Sequence, residues 1–472
     1  MSKKSDLVKN AALIGIGKIC TQLLSFFLLP LYTAILSTTE YGMVDLIETY
    51  KALILYILYF QIGQALFRYV ISYRDDIKKK GEVYTATVFV FVVQSVLFFV
   101  TIMIYSSITG YQYGILLSAM VISSMFAGIQ LTFCHGLGDY YSFTLGSFLT
   151  AVITILLNIL FVLILKLGIH GMLMSNVLAN VFAGLLLFIK KRSWNYIIGK
   201  QLKLNVIIEL LKYSIPLVPD ALSWWAITAI DKVIISNVLG VGANGIVSVS
   251  SKFSNAFSQL YEVFNNSWTE NISSHLSDND IQRYVSDVIS DVLVISISLA
   301  SFLNILLTYA FGILVNKNFS QGYGLIPFFM AAALLNIARK LYTALFIAYK
   351  ETRQIAKITT ITAIIDILVN ISLVHIVGIY AAPVSSIIAY GMVLILSVRM
   401  IDQRIKISLQ WRRLLTQMFV FLLSCIPFYE YSFKPLFLPL SLAEMFLIMY
   451  CNRKLILVAM QKIIARLPIN KM

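Results

Sequence analysis

Charge is scarce in this chain and unevenly signed: 12% of its 472 residues are charged, 37 lysines and arginines against 22 aspartates and glutamates. A soluble domain carries about twice that share. With 59% hydrophobic residues and a mean hydropathy of +0.85, the solvent of this chain is lipid. Histidine and cysteine are rare, four of each. His135, His170, His275 and His375 fall in different segments with no second ligand at metal spacing, which argues against bound zinc or iron, and no cofactor is expected. Cys20, Cys134, Cys425 and Cys451 are far apart and suit packing rather than disulfides. No G-x-x-x-x-G-K-[ST] phosphate loop occurs, Gly15 to Lys18 being a fragment of one, so the chain carries no ATP engine. Gly-x-Ser-x-Gly is missing, and no long extracytoplasmic loop could house a catalytic site. These absences argue against an enzyme.

What is present is apolar helix. A spanning helix needs about 20 mostly apolar residues, because no backbone group can stay unpaired in hydrocarbon. Fourteen such stretches can be laid end to end, from 10–34 and 42–67 to 411–429 and 434–451. They predict an all-α integral membrane protein with about 14 transmembrane helices. The net charge of +15 sits in short connections, not on a face suited to nucleic acid. Lys78, Lys79 and Lys80 follow the second segment, Lys190, Lys191 and Arg192 the sixth, Lys350 and Arg353 the tenth, Arg404 and Arg412 the twelfth. The alternate loops are nearly uncharged, with Lys166, Lys317 and Lys434 as exceptions, and the connection after the eighth segment, with Glu270, Asp278, Asp280 and Arg283, departs from the pattern; the positive-inside rule then places both termini in the cytoplasm. The apolar run after Asn10 lacks a small-residue cleavage pattern and is expected to stay as the first helix.

Near residue 210 the chain starts over. At a shift of 203, Leu36, Gly42 and Val44 meet Leu239, Gly245 and Val247; at a shift of 210, Gly168, Ile169, Ser175 and Ala179 meet Gly378, Ile379, Ser385 and Ala389. Repeated halves are how many secondary carriers build a central site. Pro216 and Pro219 invite a bend where the second copy begins.

Polar residues inside apolar segments point to a cavity. On the eighth segment Ser248, Lys252, Asn255, Gln259, Glu262 and Asn266 recur at spacings of three and four, which places them along one side of a helix. A charge at the bilayer centre costs about 2.5 to 3.5 kcal/mol even on lenient scales, so this side should line water rather than lipid. At about 1.5 Å rise per residue, Lys252 lies near the midplane and Glu262 nearer the cytoplasmic mouth. Lys18, Arg68 and Arg339 add cations on the first, second and tenth helices. An anionic ligand would satisfy them together, although each one alone could snorkel or pair with a carboxylate.

Here a resemblance enters. LLKYSIPLVPDALSWW (210–225) followed by DKVIISNVLGVGANGIVSVSSKF (231–253) resembles the Wzx-type polysaccharide repeat-unit flippases, the polysaccharide transporter branch of the MATE-like MOP superfamily. KNAALIGIGKICTQLLSFFLLPLYTAILSTTEYGMVDL (9–46) and GQALFRY (63–69) are similar to that family's first two helices. LLNILFVLILKLGIHGMLMSN (156–176) and ILVNISLVHIVGIYAAPVSS (367–386) are similar to its paired fifth and eleventh. The resemblance implies two pseudo-symmetric six-helix lobes, 1–204 and 205–406, facing one another across a cavity. Residues 407–472 would then form two further helices and a basic tail.

It also implies translocation, by alternating access, of a polyprenyl-pyrophosphate-linked oligosaccharide across a bacterial cytoplasmic membrane for surface polysaccharide. Lys18, Arg68, Lys252 and Arg339 are then the headgroup contacts, with Asn255, Gln259 and Asn266 lining the cavity. Asp45, Glu48, Asp220 and Glu262 are the coupling or gating carboxylates. The expected partners are that lipid-linked substrate, membrane lipid, a coupling proton or sodium ion, and polysaccharide polymerase machinery. A cation-coupled multidrug exporter and a lipid II flippase of the same superfamily are the rivals; a membrane glycan polymerase, from a different class, would need a catalytic outer loop.

Overall fold

The structure is a computed structural model that describes residues 26, 28–73, 76–197, 202–276, 280–429 and 434–451. Every regular element among them is helical. All fourteen apolar segments fall on helices, the first of them through its described end, α1 (Leu29–Ile35). The second segment is α2 (Thr38–Leu58) and α3 (Ile62–Ser72); α4 (Ile77–Thr109), α5 (Gly114–Gly136), α6 (Tyr140–Asn158) and α7 (Gly168–Lys190) follow. Then come α8 (Leu204–Ser214), α9 (Val218–Leu239), α10 (Val241–His275), α11 (Ile281–Leu314), α12 (Ile326–Ala348), α13 (Thr352–Val377), α14 (Ala381–Ile401), α15 (Trp411–Cys425) and α16 (Lys434–Cys451).

By length and composition alone eight helical stretches among the described residues can cross a membrane, or nine if the bent pair α2 and α3 counts as one span. One of these stretches, Arg353–Ile401, holds both α13 and α14, which pack along each other and so form two passes. Local chemistry sets the helix starts. Ser37 and Glu40 form a capping box on α2, Ser37 Oγ accepting from the Glu40 amide at 3.2 Å and Glu40 Oε2 from the Ser37 amide at 2.9 Å. Asp76 caps α4 and Asp139 caps α6 in the same manner.

The chain separates into two compact units, Met1–Ser248 and Val249–Met472, with α10 running from one into the other. In the first, α3 drives Ile62, Leu66 and Val70 into a core shared with Tyr84, Met120, Phe133 and Leu173. In the second, α12 packs on α14, and α11 packs on α15 through polar bonds as well as apolar contact. Ser298 Oγ donates to Gln417 Oε1 at 2.9 Å and Asn304 Nδ2 to Ser424 Oγ at 3.3 Å. In lipid such bonds hold helices together where apolar burial alone cannot discriminate partner from solvent.

The duplicated positions keep their environments. Gly168 and Gly378 both take left-handed backbone, φ +54° and +59°, at the starts of corresponding turns. Ser175 and Ser385 are both fully buried, as are Ala179 and Ala389. Gly42 and Gly245, repeat equivalents, touch each other: a Cβ on Gly42 would press on Val241 O and stand 2.8 Å from the Gly245 amide nitrogen. Only hydrogen fits at that crossing.

The bend is not where the prolines stand. Pro216 produces a single 3-10 turn, Ile215–Leu217, and the axis change between α8 and α9 stays under 40°. A proline in the first turn of a helix removes a donor that had no partner anyway, which is why Pro219 starts α9 without kinking it. The sharp break, 55°, lies between α2 and α3 at Phe60 and Gln61.

Candidate functional site

In the second unit the polar stripe of α10 meets the cations of α12. Lys252, Asn255, Gln259 and Glu262 follow at spacings of three, four and three, so their side chains share a face. Lys252 and Gln259 are half-buried and Asn255 is exposed; none of these three bonds to another described residue. Glu262 pairs with Lys340 of α12, and Trp268 Nε1 donates to Leu341 O at 3.3 Å, so α10 and α12 are pinned side by side.

Arg339, next to Lys340, is 4% exposed. Its Nε and Nη2 donate to Asn336 Oδ1 at 3.2 and 2.9 Å, and its guanidinium carbon lies 5.7 Å from the centre of the Tyr390 ring on α14. No carboxylate stands within ion-pair distance of it among the described residues. A neutral amide and a ring face are its direct partners, and Glu262, already paired with Lys340, is the carboxylate whose field reaches it. α10 and α12 thus carry three cations, Lys252, Arg339 and Lys340, against Glu262, which pairs with Lys340, and Glu270, exposed two turns further along α10. The surplus is positive and membrane-embedded.

The first unit disposes of its charges differently. Asp45, 9% exposed, accepts from Lys232 Nζ at 2.8 Å and from Asn244 Nδ2 at 3.4 Å, and Asn244 also donates to Gly42 O at 3.1 Å. Trp225 Nε1 donates to Thr49 O at 2.9 Å. These bonds tie α2 to α9 and the start of α10, around the Gly42 and Gly245 crossing. Glu48 pairs with Lys51 one turn along its own helix. Arg68 is exposed on α3 and Asp220 in the first turn of α9, and neither forms an ion pair among the described residues. Lys18 lies outside the described residues, as does the side chain of Asn266. The structure therefore brings together Glu262, Lys340 and the flank of Arg339, and separately Asp45 with Lys232.

Two residues escaped the sequence reading. Lys232 is a lysine in the middle of an apolar helix, and that placement is the signal that could have found it. Asp366, on α13, is the lone acid in an apolar run. It is fully buried beside Ser385 and Ser386 of α14, and neither carboxylate oxygen accepts a hydrogen bond of standard geometry. An unpaired ionised carboxylate is costly there.

A family model described as polysaccharide biosynthesis protein matches residues 7–269. The chain belongs to the polysaccharide biosynthesis protein family. The stretch that the family model matches includes the Asp45 cluster and the α10 stripe through Glu262; Arg339 and Asp366 lie beyond it. Among curated proteins none matches the chain by sequence. Solved structures do. The lipid II flippase MurJ in an inward closed conformation aligns with a TM-score of 0.71 at 11% identity, over 95% of this chain and all of the flippase. An inward-facing multidrug resistance MATE transporter of the MOP superfamily gives 0.62 at 12%, over 81% of this chain and 95% of its own. Its outward-facing counterpart gives 0.54 at 14%, over 86% and 96%. At such identities what this family member shares with them is the MOP fold.

Proposed function

We propose that the chain is a flippase that carries a polyprenyl-pyrophosphate-linked oligosaccharide across a bacterial cytoplasmic membrane, its charged headgroup through the protein and its prenyl tail in lipid. The family description and the fold shared with a lipid flippase support a transporter acting in polysaccharide biosynthesis. The single observation that carries the choice of ligand is Arg339: a guanidinium buried to 4% with only neutral partners among the described residues. A pyrophosphate is the group such a cation accepts best, with parallel N–H to oxygen bonds. Lys252 on α10, without an ion pair among the described residues, is the second cation of the proposal. In this reading both termini lie in the cytoplasm, where the loaded lipid is made, and the basic loops support that orientation.

Coupling falls to Asp366 in this proposal. Asp45, Glu48 and Glu262 are each held by a lysine; Asp366 forms no ion pair among the described residues and can take up a proton or sodium ion. The same carboxylate would serve a multidrug exporter, so the test must separate them. Arg339→Met and Lys252→Ala, expressed in a flippase-deficient strain, are expected to lose surface polysaccharide while the lipid-linked intermediate accumulates. Normal export by both variants, or drug resistance conferred without polysaccharide, would sink the proposal. Complementation of a strain lacking its lipid II flippase checks the other rival.

A further inference from the structure

The break between α2 and α3 opens a cavity whose lining is neutral and hydrogen-bonding. Phe60 (φ +47°) and Gln61 (φ +57°) hold left-handed backbone that residues with a Cβ rarely adopt, a strain that surrounding structure must enforce. Tyr59 enforces it: fully buried, it places its hydroxyl 2.8 Å from Ser95 Oγ on α4 and stacks on Phe91 at 6.0 Å. Breaking a helix in lipid frees backbone groups and is tolerated where the chain lines a cavity. The cavity beside this break measures about 440 Å³, within the range of small-molecule sites.

Gln61 and Gln64 line it from α3, and Ser124, Thr132 and His135 from α5. None of these five side chains hydrogen-bonds another described residue. That is unusual on this helix. Ser118 and Ser123 return their hydroxyls to Ile115 O at 2.8 Å and Met120 O at 3.2 Å, the ordinary way a hydroxyl is satisfied in lipid. Ser124 and Thr132 keep theirs for the cavity. Gly128 leaves it open, since a Cβ there would meet nothing within 4 Å. The His135 ring is walled by Phe67 at 4.5 Å and Phe143 at 4.9 Å. From Ser124 to His135 the lining runs about 16 Å along α5.

Among the described residues no lysine, arginine, aspartate or glutamate lines the cavity. A phosphate would find no cation among these lining residues, Arg68 standing one turn beyond Gln64 on α3, and an acyl tail would leave five polar groups unpaired. Neutral donors and acceptors set among aromatic faces suit a sugar, with hydroxyls to bond and C–H faces to stack. Resting on the flippase proposal, we propose that this cavity is a glycan subsite in the first unit that takes sugars of the lipid-linked oligosaccharide.

The test is binding to purified protein in nanodiscs, with two probes: lipid-linked repeat units extracted from the source cells, and undecaprenyl pyrophosphate without sugar. Gln64→Leu with Thr132→Val, and separately the filling variant Gly128→Leu, are expected to weaken the sugar-bearing probe roughly tenfold, the value of one or two neutral hydrogen bonds. They should leave undecaprenyl pyrophosphate unchanged, whereas Arg339→Met weakens both. Both variants replace polar or empty space by apolar side chains and are checked for folding by thermal unfolding; if one fails to fold, the other decides. Wild-type affinity of the folded variants for the sugar-bearing probe, or loss of bound phospholipid alone, overturns the subsite while Arg339 still governs both probes. Failure of wild-type protein to bind either probe overturns the flippase proposal, and the subsite with it.

Discussion

Replacing Arg339 by methionine should separate binding from stability. The side chain gives up two hydrogen bonds to Asn336 Oδ1 and its place over Tyr390. Hydrogen bonds to a charged group contribute about 1.5 to 3 kcal/mol each, and a desolvated cation over a ring about 2. Against that, keeping a guanidinium 4% exposed costs several kcal/mol in desolvation, which methionine does not incur. The terms oppose one another and are of similar size, so the unfolding free energy should change by no more than about 3 kcal/mol.

Binding has no such compensation. Truncating one partner of a buried charge pair costs about 2 to 5 kcal/mol, here roughly two to three decades of affinity for undecaprenyl pyrophosphate. Arg339→Lys should recover part of this loss, because an ammonium keeps the charge and gives up the fork. Thermal unfolding and lipid binding on the same detergent preparation check both halves. Methionine that unfolds the protein would show a structural cation. Unchanged binding would refute the anion site.

Four further outcomes follow from the geometry. Asp45→Asn should destabilise the protein by about 1 to 3 kcal/mol, discounted because Lys232 is a quarter exposed; in thermal unfolding, Lys232→Met on that background should recover part of the loss. Gly42→Leu should reduce folded yield on size exclusion, because its side chain would have to occupy the space of Val241 O and the Gly245 backbone; wild-type yield would show the crossing to be loose. Asp366→Asn, close in shape, should fold normally and abolish the proton or sodium dependence of transport measured in proteoliposomes.

The last concerns pH. Burial alone would raise the carboxyl of Asp139, in the turn before α6, but the Lys191 ammonium and the Ser142 amide and hydroxyl bring it down to about 2. Its folded value is depressed below the ordinary value near 3.9, so its stabilisation is present above about pH 4 and is lost as pH falls toward 2. The stability gap between wild type and Asp139→Asn should be constant from pH 7 to about 4 and shrink below it.

Much of the fold was legible because lipid imposes a simple rule. Fourteen apolar segments became helices, and the glycines paired by the repeat, Gly168 with Gly378, took matching turns. Charge placement was legible only in part. The spacing from Lys252 to Glu262 did define one helix face, but nothing local showed that Glu262 would be neutralised by Lys340, 78 residues on. The break at Phe60 and Gln61 gave no signal either, since neither residue is a glycine or proline; Tyr59 imposes it through a bond to Ser95, 36 residues away.

By itself, then, the sequence determined the solvent, the number and order of helices, the duplication and the supply of intramembrane charge, because each depends on hydropathy and spacing along the chain. Only the tertiary structure decided which charges are spent and which are spare. Asp45 finds Lys232 across 187 residues, while Arg339 and Asp366 form no ion pair among the described residues. Pairing depends on which helices become neighbours, and in a membrane helix neighbours are chosen by close packing and polar bonds rather than by apolar pattern, which every spanning helix shares.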